Sequence, residues 1–458
     1  MATGADGLGV ALAEALGAAG VTGLIRLSGG ASRETWAFDA ELPDGHRKLV
    51  LQRERSGGVH QGGMGTEAAV LRAAAHAGVP VPNVLACDDG DGERALGSAY
   101  LIVERLEGES IARRILRDDA LAGAREALAG QCGAALAGIH AIDPEGVPGL
   151  EDADQLVRYR EVLDQLGQPH PAFELAFRWL GDNRPPPGRR TVVHGDFRNG
   201  NLLVDPSGLV AVLDWELAHV GDPMEDLGWL CVRSWRFGAA PRVGGFGTVD
   251  DLVEAYEEAG GTTVDRAALH WWEVLGTLKW GIMCIAQAEA HRSGAVRSVE
   301  LAAIGRRVCE VEHDVLLLLP SAGSRPSGSG PADDRGAEGL GDGPHDVPTA
   351  RELVEAVREF LTGDVMEATE GRVRFHARVA ANVLATVARE LDLGAGQAAA
   401  HLARLATLGV RNADELSERI RTGTLDHRRD AVVAVVRASV ADKLAVANPT
   451  YAGADPEP

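Results

Sequence analysis

Only five cysteines occur in 458 residues, and no two of them form a C-x-x-C pair. Cys87, Cys132, Cys231, Cys284 and Cys309 are scattered along the chain. That excludes a disulfide scaffold or a cysteine-rich zinc site and fits reduced thiols in the cytoplasm. Long runs of lysine and arginine are also missing, and the formal net charge is -22. A surface this negative repels nucleic acid and anionic lipid, so neither is expected as a partner. No uninterrupted apolar stretch reaches the roughly 18 residues that a membrane-spanning helix needs. The Ala/Leu-rich start is broken by Asp6 and Glu14 and has no basic flank. Residues 8–16 therefore read as an amphipathic helix, not a signal peptide, and a soluble cytoplasmic protein is expected.

What is present is core-forming residue: 45% of the chain is apolar, over a length that suggests two or three structural units. Residues 321–344 are dense in Gly, Ser and Pro and hold almost no large apolar side chain. Such a segment cannot bury enough surface to offset its chain entropy, so residues 320–347 are predicted to be a flexible linker. Before it, strand-like stretches at 24–27, 35–38, 48–53 and 99–104 surround a helical stretch at 66–77. Pro43-Asp44-Gly45 supplies a turn before the third strand. Helical periodicity then dominates, apart from a compact β-rich segment near residues 191–214.

That segment carries the strongest chemistry. Val192-Val193 runs into His194-Gly195-Asp196, and Asn201 follows five residues after the aspartate. Leu202-Leu203-Val204, the turn Asp205-Pro206-Ser207-Gly208 and the return through Leu213 form a hairpin that brings Asp214 back beside Asn201. Phosphoryl transfer needs a carboxylate that orients the attacking hydroxyl and accepts its proton. It also needs oxygen ligands that hold magnesium against a triphosphate. Asp196 suits the first task, and the Asn201 amide oxygen with the Asp214 carboxylate suits the second.

The string H-G-D-x-x-x-x-N, the apolar hairpin and the following D-W-E resemble the aminoglycoside phosphotransferase and choline kinase-like superfamily. The resemblance implies an α+β, protein-kinase-like two-lobed fold: a small antiparallel β lobe and a larger helical lobe, followed here by a small all-α domain. It places a nucleotide-binding lobe at 1–105, a catalytic and substrate lobe at 106–319 and an accessory helical domain at 348–458. It implies ATP and Mg²⁺ as cofactors, Asp196 as catalytic base, and Asn201 and Asp214 as metal ligands. His194, Asp222 and Asp226 would brace the site.

On the nucleotide side, Ser28, Gly29, Gly30 and Ser32 resemble the family's phosphate-covering loop, where glycine permits close backbone approach. The resemblance expects a cation at the end of the third strand. Here Gln52 and Arg53 both stand, and period-two alternation lets only one of them face the nucleotide. Arg53 is the favoured cation and Gln52 the alternative, which would leave the site one charge short. Glu67 is the acidic partner expected for that cation, or a glutamate favoured at a helix start by the macrodipole. Glu104 falls in the stretch resembling the adenine-binding hinge.

On the acceptor side, Trp272, Gly276 and Trp280 fall on one helical face beside Lys279. They read either as an aromatic wall with a cationic anchor or as ordinary core. The stretches V-L-Q-R-E and L-D-W-E-L-A-H-V-G-D-P are most similar to phosphotransferase domains that accompany acyl-CoA dehydrogenases. This makes a hydroxyacyl-CoA or hydroxy acid the expected acceptor, with an aminoglycoside or other small alcohol as the alternative. A catalytically degenerate nucleotide-binding protein of the same fold is the third reading, and Gln52 is its basis. After the linker, Thr349 to Glu352 form a capping-box pattern, and apolar stripes predict helices at 372–391, from Asn412, and at 431–444. His376 and His401 stand alone on these helices and read as structural. The segment resembles a small uncharacterised helical domain, for which docking of a protein partner is the expectation.

Overall fold

The computed structural model describes residues 5–27, 33–54, 63–89, 96–320 and 348–451. It divides into two compact units, Met1–Asp154 with Arg184–Gly276, and Gln155–Asn183 with Thr277–Pro458.

The first unit opens with helix Ala5–Leu16 and an antiparallel meander of β1 (Gly20–Leu27), β2 (Arg33–Leu42) and β3 (Gly45–Glu54). The β2–β3 turn uses Pro43, whose ring fixes φ, and Gly45, whose φ of 130° few side chains tolerate. β4 (Val84–Asp88) and β5 (Tyr100–Glu104) complete a five-stranded sheet in the order β1-β2-β3-β5-β4. Alternation along β3 decides what lies on each face. Leu49 and Leu51 pack with Phe38 and Ile102 beneath Leu8 and Leu12 of the first helix. Val50 points the other way, with Leu101 and Val103, toward Met64, Ala68 and Leu71 of helix Met64–His76. Burying each of these leucines contributes about 1.5–3 kcal/mol. The same alternation sends Gln52 to the Met64–His76 side and Arg53 to the opposite one.

The helical part of this unit is built on Ala122–His140 and Val249–Glu258, whose Leu128, Cys132, Leu136, Leu252 and Tyr256 share the larger core. Two short antiparallel pairs are set against it. β6 (Thr191–Val193) pairs with β9 (His219–Gly221), and β7 (Leu202–Asp205) pairs with β8 (Gly208–Val212). Small antiparallel sheet followed by helical body is the architecture expected.

The second unit is helical. Ala172 and Leu175 of helix Pro171–Asp182, with Cys309 and Leu316 of helix Val308–Leu318, share one core with Leu405, Leu416, Ile420 and Val436. The segment after residue 347 thus completes a core begun before residue 320. Residues 321–347 lie outside the described residues. Polar ties join the same partners: Glu174 accepts from Arg160 and from Arg421 at 2.9 Å each, and Arg178 pairs with Asp426.

The capping box at Thr349 and Glu352 is present, and helices Ala413–Arg421 and Arg429–Ala447 lie where periodicity placed them. One helix differs. The stretch predicted to stop before Gly394 continues as Gly371–Thr407 over 37 residues. Two interior glycines cost about 1 kcal/mol each, but the far end is anchored on helix Arg429–Ala447. Gln397 donates to the Asp442 carbonyl at 3.0 Å, and His401 bonds Ser439 at 2.9 Å. Among the described residues, no helix is long and apolar enough to cross a membrane.

Glu312 is a buried charge of this unit, 1% exposed, held by Lys443 at 2.8 Å and His170 at 3.0 Å. Burial pushes its carboxyl up, but the Lys443 charge and the His170 hydrogen bond outweigh burial and bring the pKa down to about 2 from 4.5. The folded value lies below the unfolded one, so the stabilisation is complete above pH 4.5 and is lost as pH falls toward 2. Lys443→Met should cost about 3 kcal/mol by leaving the buried carboxylate with one partner. In urea unfolding, the gap between wild type and Glu312→Gln should be widest above about pH 5 and narrow on acidification. A gap independent of pH would mean that the charge of Glu312 contributes nothing.

Candidate functional site

The turn that follows β6 is held by one buried carboxylate, that of Asp226. β6 ends at Val193, and the chain turns through His194 and Gly195. Gly195 has φ of 76°, and a Cβ there would stand 2.3 Å from the Leu217 carbonyl oxygen. Only glycine fits that turn. Asp226, in helix Met224–Cys231, is 0% exposed and accepts the His194 and Gly195 N–H groups at 2.7 and 2.9 Å. Burial pushes its carboxyl up, but the His140 hydrogen bond and nearby imidazoles hold it below the usual range. The His194 ring extends the brace. Its Nδ1 accepts the Asp196 N–H at 3.1 Å, which leaves the proton on Nε2 to donate to the Leu213 carbonyl at 3.1 Å. Burial lowers the His194 pKa, and a neutral ring is the form this arrangement requires. Asp222 accepts the Met224 N–H at 2.9 Å, and burial raises its pKa. Of the three residues expected to brace the site, Asp226 and His194 bond directly to the 194–196 turn, whereas Asp222 accepts at the start of helix Met224–Cys231.

Asp196, 7% exposed, is oriented from three sides. Trp229 Nε1 donates to Oδ1 at 2.9 Å, Asn201 Nδ2 to Oδ2 at 2.7 Å, and Arg198 Nε lies 3.0 and 3.2 Å from the two oxygens. Asn201 also donates to the Asp196 carbonyl at 3.0 Å. Both amide contacts are acceptors, so the amide has one consistent orientation, and its oxygen takes no hydrogen bond among the described residues. The β7–β8 pairing of Leu202 with Val212, and Leu213 N–H to the Asn201 carbonyl at 2.8 Å, set Asp214 beside it. Asp214 has φ of 66°, a left-handed conformation uncommon outside glycine, and such residues cluster at functional sites. Solvent reaches its carboxylate, yet surrounding protein and the charges of Glu216, Asp196 and Glu67 raise its pKa to about 7.

These two oxygens meet the test for a hard cation: one uncommitted amide oxygen beside a carboxylate crowded by other negative charge. No group of three or more His, Cys, Asp and Glu side chains suited to a metal occurs among the described residues. A cation here would draw its remaining ligands from water and phosphate, as magnesium does in nucleotide sites.

The nucleotide side departs from expectation. Ser28, Gly29, Gly30 and Ser32 lie outside the described residues. Arg53 does not meet Glu67; it pairs with Glu34 at 2.8 Å on the other face of the sheet. The partner of Glu67 is Arg33, at the start of β2, and the two are only 5% and 6% exposed. Gln52 is on that face too, its Oε1 3.4 Å from Arg33 Nη1. Glu104 accepts from Asn83 at 2.7 Å at the end of β5. Arg33 and Arg198 are the site residues that sequence reasoning missed. The available signals were that Arg33 directly follows the glycine loop and Arg198 stands two residues after Asp196.

Of the tryptophans, Trp229 bonds Asp196, and Trp235 carries the Arg198 guanidinium 4.7 Å above its ring. Trp271 is 3% exposed, and Trp272 packs against the core of the first unit. Lys279 is buried in the second unit, 5.7 Å from the Tyr159 ring.

A small antiparallel sheet joined to a helical body, with Asp196, Asn201 and Asp214 gathered at one hairpin, defines a kinase-like phosphotransferase fold. The chain belongs to the phosphotransferase enzyme family, whose sequence model matches residues 23–272. A second match, to a domain of unknown function (DUF6285), covers residues 367–451. Acyl-CoA dehydrogenase family member 10 of Mus musculus is 32% identical over 218 residues, 44% of this chain and 20% of that one. The probable acyl-CoA dehydrogenase IBR3 of Arabidopsis thaliana is 29% identical over 232 residues, 44% of this chain and 27% of that one. The chain therefore spans about a quarter or less of the length of these relatives. A solved structure of a candidate aminoglycoside phosphotransferase from Ralstonia eutropha JMP134 superposes with a TM-score of 0.51 at 20% identity. It covers 65% of this chain and 92% of its own, and the likeness is one of fold.

Asp226→Asn should weaken the support without touching the reacting groups. An amide has one accepting oxygen where the carboxylate has two, so a buried N–H of His194 or Gly195 loses its partner. The expected cost is about 1–3 kcal/mol, read as a lower melting temperature together with lower turnover. An unchanged melting temperature would mean that Asp226 does not hold the turn.

Proposed function

We propose that the chain is an ATP- and magnesium-dependent phosphotransferase that moves a γ-phosphate onto a hydroxyl of a small molecule. The observation that carries this reading is the state of the Asp196–Asn201 pair. Asp196 is pinned by Trp229, Asn201 and Arg198, while the Asn201 oxygen and the Asp214 carboxylate are left for a cation. Asp196 aligns the acceptor hydroxyl and takes its proton as the oxygen forms its bond to phosphorus and the bond to the ADP oxygen breaks. Asn201 and Asp214 would hold Mg²⁺, which when bound supplies charge neutralisation at the phosphates. Asp226 and His194 keep the loop from shifting, since small misplacement of a reacting group is costly.

A hydroxyacyl-CoA or related hydroxy acid is the acceptor class we favour. Its support is the relatedness to proteins named as acyl-CoA dehydrogenase family members, each of which the chain matches over a part. Aminoglycosides are the comparison class. The degenerate reading rested on a missing cation at Gln52, and Arg33 places one beside it.

Melting scans with ATP, with and without magnesium, followed by transfer assays on hydroxyacyl-CoAs and aminoglycosides, test this reading. ATP at about 100 times its dissociation constant should stabilise the first unit by roughly 2.7 kcal/mol, and more weakly without magnesium. Asp196→Asn should keep that shift while turnover falls on the order of 10² to 10⁴. Near-normal turnover in this variant would remove Asp196 from the reaction. Absence of any shift at millimolar ATP would remove the nucleotide.

A further inference from the structure

Resting on the ATP-dependent reading above, we infer that Arg33 is the phosphate-gripping cation of the site, moved one strand over from Gln52. The β2–β3 register pairs Arg33 with Glu54 and Thr35 with Gln52, so all four side chains share one face. Arg33 reaches diagonally across this face, and its Nη1 lies 3.4 Å from the Gln52 amide oxygen. The head of the guanidinium is thus beside the place a longer cationic side chain at position 52 would fill.

Three further observations support a ligand-binding role. Its Nε is buried and makes no hydrogen bond, and Glu216 Oε2 lies 3.5 Å from it. An idle donor on a buried guanidinium is costly unless something bound accepts from it. Burial works against the charge, but Glu67, Glu216 and Asp214 raise the Arg33 pKa, so it is held charged next to the proposed metal ligand. The alternative cation is committed elsewhere: both Arg53 Nε and Nη2 contact Glu34, at 2.9 and 2.8 Å, on the opposite face.

Charge balance gives the same assignment. Glu216, Asp196 and Glu67 all lie close enough to act on Asp214. Arg33 is the cation that the described sheet residues set beside this group, and it would offset the repulsion a polyphosphate meets there. The guanidinium offers a fork of donors suited to phosphate oxygens.

Calorimetric titration of the full-length protein with Mg·ADP tests the assignment without requiring the acceptor. Arg33→Gln should weaken binding by about tenfold or more, the scale of one charge-assisted hydrogen bond. Because that change leaves Glu67 buried and unpaired, Arg33→Gln with Glu67→Gln serves as the variant that removes both charges together, and it should bind as weakly. Adding Gln52→Lys to Arg33→Gln should recover most of the affinity by returning a cation to the neighbouring strand, whereas Arg53→Gln should stay within about twofold of wild type. A folded R33Q/E67Q protein that binds Mg·ADP as wild type does would overturn the role of Arg33, as would a loss that follows Arg53→Gln instead. Wild-type protein that binds no Mg·ADP would overturn the nucleotide reading and this inference with it.

Discussion

Asp226 receives two consecutive backbone N–H groups on a carboxylate with no exposure to water, and the reaction centre is arranged around that contact. Consecutive N–H groups can converge on one side chain only where the chain turns sharply, and Gly195 supplies the turn with φ of 76°. With the turn fixed, the Asp196 N–H is aimed at His194 Nδ1, and the other edge of the ring is aimed at Leu213, one residue before Asp214. The His194 ring thus joins the hairpin pairing in tying the backbone of the proposed base to the segment that carries the proposed metal ligand. Because the ring must be neutral to accept on one nitrogen and donate on the other, burial that lowers its pKa serves the geometry.

Electrostatics explain why so acidic a chain concentrates arginines here. Asp196, Glu67 and Glu216 crowd Asp214 with negative charge, and Arg33 and Arg198 stand against it. Burial and the neighbouring Glu216, Asp196 and Glu67 charges push the Asp214 carboxyl up to about 7. A site left with excess negative charge favours a divalent cation that relieves it. Arg198 is steadied on one side by the Trp235 ring and on the other by its contact with both Asp196 oxygens.

Local spacing made the centre of this site legible, while contacts between distant segments were not. Asp196, Asn201 and Asp214 are joined by one hairpin, so counting residues and recognising the turn was enough to bring them together. The choice between Gln52 and Arg53 depended on which sheet face meets helix Met64–His76. Alternation narrows that to two answers but does not select one. Arg33 belongs to a different strand, and its approach to Glu67 exists only once β2 and β3 are in register. At Gly394 the local rule for ending a helix was overridden by packing on helix Arg429–Ala447. The low-complexity stretch drew attention to a boundary in sequence, yet Leu175 and Leu316 share a core with Leu405 and Val436 on its other side. Composition can report that a segment lacks a core of its own; it does not report which cores its flanks complete.

The relocation of a cation from β3 to β2 also accounts for its being arginine. A lysine at position 33 would carry a compact charge that satisfies one carboxylate well and leaves little directional capacity for a second task. The guanidinium divides its donors. Nη1 holds Glu67 and approaches Gln52, while Nε lies 3.5 Å from Glu216 Oε2. One side chain can then anchor the helix that carries Glu67 and still present a donor on its other edge. A neutral Gln52 fits this arrangement, because its amide oxygen accepts from the incoming guanidinium where a second cation would repel it. The substitution that looked like a lost charge in the sequence is, in three dimensions, the acceptor that makes room for a charge arriving from the next strand.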